Sequence, residues 1–339
     1  MFRRPARGPE TNTCLNRVCA LAHQFSVSRF SLARAFRCNG GRSGILEALF
    51  NIAIPAAVFI IMVSIGFGVT RDDLHRALGV PKAFLIGVAA QLMMVPVFVF
   101  VFLVLLQPER DIALGIMILA LCPGGALSNI LTKVSGGDVA LSVSMTAFTN
   151  VFSVATLPSL SVLAASYFVG TDVNASEIQA ITLQVALIGT VPVVLGMVLR
   201  YIAPKLAERH GGAFFSFSLI VFVLIMGWSI IESINVFYAA MIALGWQLFA
   251  LLCVLVALGV GMGRMGGLTL SHRITLIFEI GVQNSALGIA VGAMIWRGSE
   301  GFPVYATPAA VYGSLTLLLL LPLVALVARV SKTASMARQ

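Results

Sequence analysis

The stretch Cys122-Pro123-Gly124-Gly125-Ala126-Leu127-Ser128-Asn129 decides how this chain is read. It interrupts an apolar run, residues 111–132, that is otherwise long enough for a bilayer core, which takes about 20 apolar residues per helix. Proline removes a helix hydrogen bond, and two glycines weaken the helix further. Backbone groups freed in hydrocarbon are tolerated only where they line a cavity or are buried in protein. Ser128, Asn129 and Thr132 follow at once, so the interruption is polar as well as broken. A second polar interruption lies in the run 269–296, as Phe278-Glu279-Ile280-Gly281-Val282-Gln283-Asn284-Ser285. Glu279 is the only carboxylate well inside a span of the second half. An ionisable residue at that depth is a functional hypothesis by default; the alternative is a neutral carboxyl hydrogen-bonded between helices. The expected helix breaks are Pro123, Gly124, Gly125 and Gly281.

The surrounding composition fits a membrane protein. The 339 residues are 59% hydrophobic and 10% charged, with mean hydropathy +1.00. A soluble domain carries roughly a quarter charged residues, and disorder needs far less apolar content. The net charge of +9 invites a nucleic-acid partner, but its distribution excludes one. Residues 1–42 hold eight arginines against one acid, Glu10, which leaves +7 there and +2 on the other 297 residues. Five cysteines at irregular spacings give no disulfide framework or zinc pattern. The four histidines lie in the tail or in polar connections, so a histidine-metal site within the membrane is excluded.

Nine apolar segments follow: 44–68, 82–106, 111–132, 138–168, 178–202, 213–231, 238–262, 269–296 and 303–328. The fold class is all-α integral membrane with about nine transmembrane helices. Lysine and arginine mark cytoplasmic loops. Alternate loops place Arg71, Arg76, Lys82, Lys133, Arg200, Lys205, Arg209, Arg264, Arg273, Arg329, Lys332 and Arg338 on one side, and only Arg110 and Arg297 on the other. The C-terminus, including a tail at 331–339, is therefore expected in the cytoplasm. Nine spans then put residue 44 outside, and the basic extension 1–42 would have to cross. Its composition, rich in arginine and poor in acids, is that of a transit peptide; a start-site artefact reads equally well. It is expected to be disordered and is set apart from the transporter domain, 43–330.

The two interruptions fall in the third and eighth spans. Five spans apart, they run in opposite directions. Paired broken segments in corresponding positions of two halves point to an inverted-repeat transporter, here 44–168 and 178–328. The first half shows four spans and the second five, as though the first had lost its opening helix.

Sodium wants oxygen ligands, by analogy with calcium and magnesium. Ser128, Asn129, Ser142, Thr146, Gln91 and Gln283 supply neutral oxygens, unwound backbone around Ile280 and Val282 can add carbonyls, and Glu279 supplies a charge against desolvation. Ser142 and Thr146 share a helix face and serve as helix–helix glue or as ion ligands; Gln91, alone in its helix, reads more simply as glue. A proton could replace sodium at Glu279. Half-helix N-termini favour an anion, and Asn129 and Asn284 add amide donors. A small carboxylate is the natural head group, against Ala126, Leu127, Asn129, Asn284 and Ser285.

These motifs, with Gly137-Asp138-Val139-Ala140-Leu141-Ser142-Val143 and Thr146 between them, resemble the bile acid:sodium symporter family from about residue 50 to 330. The resemblance implies an inverted repeat with a core bundle, a flatter panel and two crossing discontinuous helices. It implies two Na⁺: a first site at Ser128, Asn129, Ser142, Thr146 and Glu279, and a second at Gln91, Glu279, Ile280, Val282 and Gln283, the apolar pair through their carbonyls. Ala126 stands where the family often has a hydroxyl, and Thr149-Asn150-Val151-Phe152 departs from the usual continuation. Both leave the substrate open among bile acids, small 2-oxo or hydroxy acids and other organic anions.

The expected activity is sodium-coupled symport of an organic anion by alternating access. The expected partners are that anion and the lipid bilayer, with no nucleic acid and no obligate protein partner. The membrane is a bacterial inner membrane, or an organellar one if 1–42 is a transit peptide. The competing readings are a proton-coupled or uncoupled anion exporter, a membrane-embedded enzyme and a non-transporting sensor. The enzyme is disfavoured because an aspartyl dyad needs two close carboxylates. Asp138 stands beside a glycine pair and is expected to cap the next helix.

Overall fold

The computed structural model describes residues 53–68, 81–170, 183, 187, 191–232, 234–295 and 303–319. The basic extension 1–42, the tail 331–339 and most of 178–190 lie outside the described residues. All regular structure within them is helical. The chain runs through α1 (Ile54–Gly68), α2 (Pro81–Leu106), α3 (Arg110–Leu121), α4 (Ala126–Val134) and α5 (Val139–Phe168). It continues through α6 (Val191–Ile202), α7 (Pro204–Glu232), α8 (Ile234–Met265), α9 (Leu270–Gly281), α10 (Ser285–Ile295) and α11 (Val304–Leu319). Pro81–Leu106, Pro204–Ile225, Ile234–Met265 and Leu270–Ala293 are long and apolar enough to cross a membrane.

The helices pack in two groups. The first is α1, α6 and α7, with α1 against both partners. The crossing of α1 and α6 depends on two glycines. A Cβ on Gly66 would stand 2.0 Å from the carbonyl oxygen of Val193, and one on Gly196 would stand 2.1 Å from that of Val63. Small residues let membrane helices approach backbone to backbone. The second group joins α2–α5 with α8–α11, and it holds most of the buried polar side chains. Many apolar residues of α7 and α8, such as Phe217, Leu224, Trp228 and Trp246, are exposed. Such faces suit lipid.

One end of the second group gathers basic residues. Gly266 at the end of α8 approaches Ile86 of α2, Gly263 approaches Arg273 of α9, and Gly137 approaches Ile274 and Thr275. Lys82, Lys133, Arg264 and Arg273 belong to these helix ends. In the first group, Arg200 donates to the carbonyl of Phe67 at 3.3 Å, so its basic terminus also closes on a neighbour. Asp138 caps α5 as expected, its carboxylate accepting from the N–H of Leu141 at 3.0 Å. The cap continues into α9: Thr275 Oγ1 accepts from the Asp138 N–H at 2.8 Å, and His272 Nε2 lies 3.5 Å from Asp138 Oδ2.

Both interruptions are real gaps in the helices. Cys122–Gly125 separates α3 from α4, and Val282–Asn284 separates α9 from α10. Gly281 is the last helical residue of α9, so the second gap opens one residue later than expected. A third irregularity was not legible beforehand. Ala90–Met94 forms a π-helical turn within α2. Pro96 follows it and cannot donate to the carbonyl four residues back. A wider turn absorbs that loss, and such turns recur at functional sites.

Candidate functional site

The two gaps lie against each other. The N–H of Asn284 donates to the carbonyl of Cys122 at 3.2 Å, so backbone freed in one helix is satisfied by backbone freed in the other. Glycine makes this approach possible. A Cβ on Gly124 would lie 2.7 Å from Glu279 Oε2, and one on Gly125 would lie 3.2 Å from the side-chain amide carbon of Asn284.

Glu279 stands at the centre, 2% exposed. Its Oε1 accepts from Ser128 Oγ at 2.8 Å and from Ser142 Oγ at 2.5 Å. Its Oε2 accepts from Thr146 Oγ1 at 2.9 Å. Asn129 Oδ1 completes the group, lying 2.6 Å from Ser142 Oγ and 3.4 Å from Thr146 Oγ1. The five residues expected to share one site are therefore in mutual contact, drawn from α4, α5 and α9. Thr132 Oγ1 lies beside them, 3.4 Å from Ser142 Oγ. A buried carboxylate is costly unless hydrogen-bonded, and three hydroxyl donors meet that requirement.

Three of the second set, Gln91, Gln283 and Ile280, are joined by hydrogen bonds. Gln91, in the π-turn, donates its amide to Gln283 Oε1 at 3.0 Å. Gln283 donates to the carbonyl of Ile280 at 2.7 Å. Ile280 and Val282 are buried beside them. Gln91 Oε1 is buried without a hydrogen-bond partner. An unpaired buried acceptor costs about 1–3 kcal/mol, and a neutral amide oxygen of this kind suits a hard cation. Among the described residues no three His, Cys, Asp or Glu side chains gather into a metal-binding group; the donor set is one of neutral oxygens and one carboxylate.

Two helix N-termini also open at the crossing. Ala126 and Leu127 form the first turn of α4, and Asn129 follows. Ser285 opens α10, and Asn284 caps it, its Oδ1 accepting from the N–H of Leu287 at 3.1 Å. The other end of that amide, Nδ2, is buried without a partner. In α10 the N–H of Ser285 is taken by the Gln283 carbonyl and that of Leu287 by Asn284, so the N-terminus of α4, which has no side-chain cap, and the unpaired Asn284 amide are the features that favour an anion.

The sequence reading missed Tyr312. Its fully buried hydroxyl donates to the carbonyl of Gly281 at 2.6 Å. The available signal was a tyrosine within an apolar run, since a buried tyrosine hydroxyl usually finds a partner.

Residues 55–240 match the model of the Sodium Bile acid symporter family. The chain belongs to that family. Among relatives, it is 31% identical to a protein of Arabidopsis thaliana named a probable sodium/metabolite cotransporter, chloroplastic, over 77% of this chain and 64% of the relative. It is 26% identical to the uncharacterized sodium-dependent transporter YocS of Bacillus subtilis, over 75% of this chain and 76% of that protein. It is 25% identical to the sodium-dependent organic anion transporter of Mus musculus, over 73% and 65%. The chain spans about three-fifths of the length of the plant relatives it matches. As a member of this symporter family it is a multi-pass membrane protein, and the family and these relatives are transporters rather than enzymes.

Proposed function

We propose that this family member is a sodium-coupled symporter of an organic anion. The observation that carries the reading is the buried Glu279 carboxylate, ringed by Ser128, Ser142 and Thr146, with Asn129 bonded to the hydroxyls of Ser142 and Thr146. One negative charge among neutral oxygens suits hard monovalent cations. A first Na⁺ would take Ser128, Asn129, Ser142, Thr146 and Glu279. A second would take Gln91, Glu279 and Gln283 with the carbonyls of Ile280 and Val282, which gives the unpaired Gln91 oxygen a partner.

Sodium at the crossing ties α4, α5, α9 and the π-turn of α2 together. It also offsets the charge of Glu279, so an anionic head group can approach the N-termini of α4 and α10. Asn129, Asn284 and Ser285 would orient that group, with Ala126 and Leu127 beside it. A small carboxylate or bile-acid-like anion fits these donors. Alternating access then follows from rocking of α1, α6 and α7 against the remaining helices, two groups with few mutual contacts among the described residues. The two gapped helices support an inverted repeat, 44–168 and 178–328, although the glutamate belongs to the second only. With the basic helix ends in the cytoplasm, sodium would enter from the opposite side. A bacterial inner membrane or an organellar one would serve equally.

Uptake of a panel of radiolabelled carboxylates into proteoliposomes tests this reading. Accumulation driven by an inward sodium gradient supports it. Accumulation driven by a pH gradient alone, with no response to sodium, replaces it with proton coupling at Glu279.

A further inference from the structure

We propose that Tyr312 is a positioning residue for the second sodium site: its hydroxyl fixes the Gly281 carbonyl, and with it the flanking carbonyls of Ile280 and Val282. The inference rests on the sodium reading of that site.

At the end of α9 the Phe278 carbonyl keeps its helical partner, while those of Ile280 and Gly281 take side-chain donors instead. Phe278 O accepts from the N–H of Val282. Ile280 O accepts from the side chain of Gln283. Gly281 O accepts from Tyr312. Of these donors, Tyr312 alone comes from another helix. The Gln283 donor would share the Ile280 carbonyl with a bound ion. The Tyr312 donor would not, because Gly281 O is not one of the proposed ligands.

Gly281 is the middle peptide of three. Glycine has wide conformational freedom, and rotation about it would turn the two neighbouring carbonyls away from a common point. A hydrogen bond at 2.6 Å on the middle carbonyl removes that freedom. Tyr312 is itself held firmly, being wholly buried in α11, where its own carbonyl accepts from Thr316 at 2.8 Å. The next residue of α11 touches the far side of the gap. A Cβ on Gly313 would stand 2.9 Å from Cβ and 3.0 Å from Oγ of Ser285. Consecutive residues of one helix therefore hold both rims of the gap, Gly281 and Ser285, at a set separation.

Thermal unfolding of the purified full chain, titrated with NaCl at constant ionic strength, separates ion affinity from general stability. Ion binding stabilises in proportion to the logarithm of concentration over dissociation constant. For Tyr312→Phe, which keeps the ring and loses only the hydroxyl, the sodium concentration needed for a given shift, the sodium midpoint, should rise about tenfold, the worth of one buried hydrogen bond. The unfolding temperature without sodium should also fall, because the Gly281 carbonyl is left unpaired, and the change in sodium dependence is read beyond that loss. Gly313→Ala, which crowds Ser285, should shift the sodium midpoint in the same direction. Ser314→Ala, whose hydroxyl bonds only its own helix, should leave it unchanged. A wild-type response with an unmoved midpoint in both Tyr312→Phe and Gly313→Ala overturns the role of Tyr312 alone. A wild type that does not respond to sodium overturns the reading of the site and this role with it.

Discussion

Gly124 backs directly onto the carboxylate of Glu279: a single added carbon there would lie 2.7 Å from Oε2 and 3.1 Å from Ser128 Oγ. The broken helix of the first half is thus cut to the shape of the charged residue of the second. Neither interruption is complete without the other, and the chemistry of the site depends on their contact.

Gly124→Ala should therefore cut sodium-driven uptake by tenfold or more, because a methyl group displaces the carboxylate from its three hydroxyls. Gly212→Ala, in α7 with open space around its Cβ position, should transport normally and be slightly more stable, as alanine is the better helix former. Equal uptake by the two variants would show that the Gly124 contact has no part in transport.

Ser142 Oγ touches both Glu279 Oε1 and Asn129 Oδ1. Hydrogen bonds to charged groups are worth about 1.5–3 kcal/mol, so Ser142→Ala should raise the sodium concentration for half-maximal uptake about tenfold to a hundredfold. Ser166→Ala removes an exposed hydroxyl bonded to its own helix and should change nothing. Sodium titrations of uptake for both variants make the comparison.

Gly196→Ala acts elsewhere. Its methyl group would meet backbone, the carbonyl of Val63 at 2.1 Å, which no side-chain movement relieves. Forcing such a crossing apart costs about 1–3 kcal/mol or more. The expected result is less folded protein and a lower unfolding temperature, with an unaltered sodium midpoint in the fraction that folds. A changed midpoint with normal stability would contradict the separation of the two helix groups.

Two sodium ions with one monoanion move one net positive charge. An inside-negative potential then contributes about 2.3 kcal/mol per 100 mV, or roughly fiftyfold in accumulation. Imposing such a potential with a potassium ionophore should drive uptake further. Uptake indifferent to it would reduce the count to one sodium per monoanion.

The two interruptions were legible in the sequence because their causes are local, whereas their crossing was implied by the family resemblance. Pro123 and two glycines cannot continue a helix, and Glu279 with Gln283 and Asn284 has no place in lipid. The cap at Asp138 was legible for the same reason. The π-turn at Gln91 was not: it reflects Pro96 acting together with packing against α5 and α9, and a lone glutamine in an apolar helix carries no sign of it. Tyr312 was missed because its partner, the Gly281 carbonyl, exists as a free acceptor only once the distant α9 ends. The glycine contacts of Gly66 and Gly196 likewise depend on which helices meet, which spacing within one span does not reveal.

The most direct measurement is sodium-gradient uptake of a transported carboxylate by proteoliposomes holding wild-type protein or Glu279→Gln. Glutamine keeps the size of the side chain and one acceptor oxygen, turns the other into an amide donor, and removes the charge that both proposed sodium sites share. The account predicts that accumulation by the variant no longer depends on sodium. Undiminished sodium-driven accumulation by Glu279→Gln would contradict it.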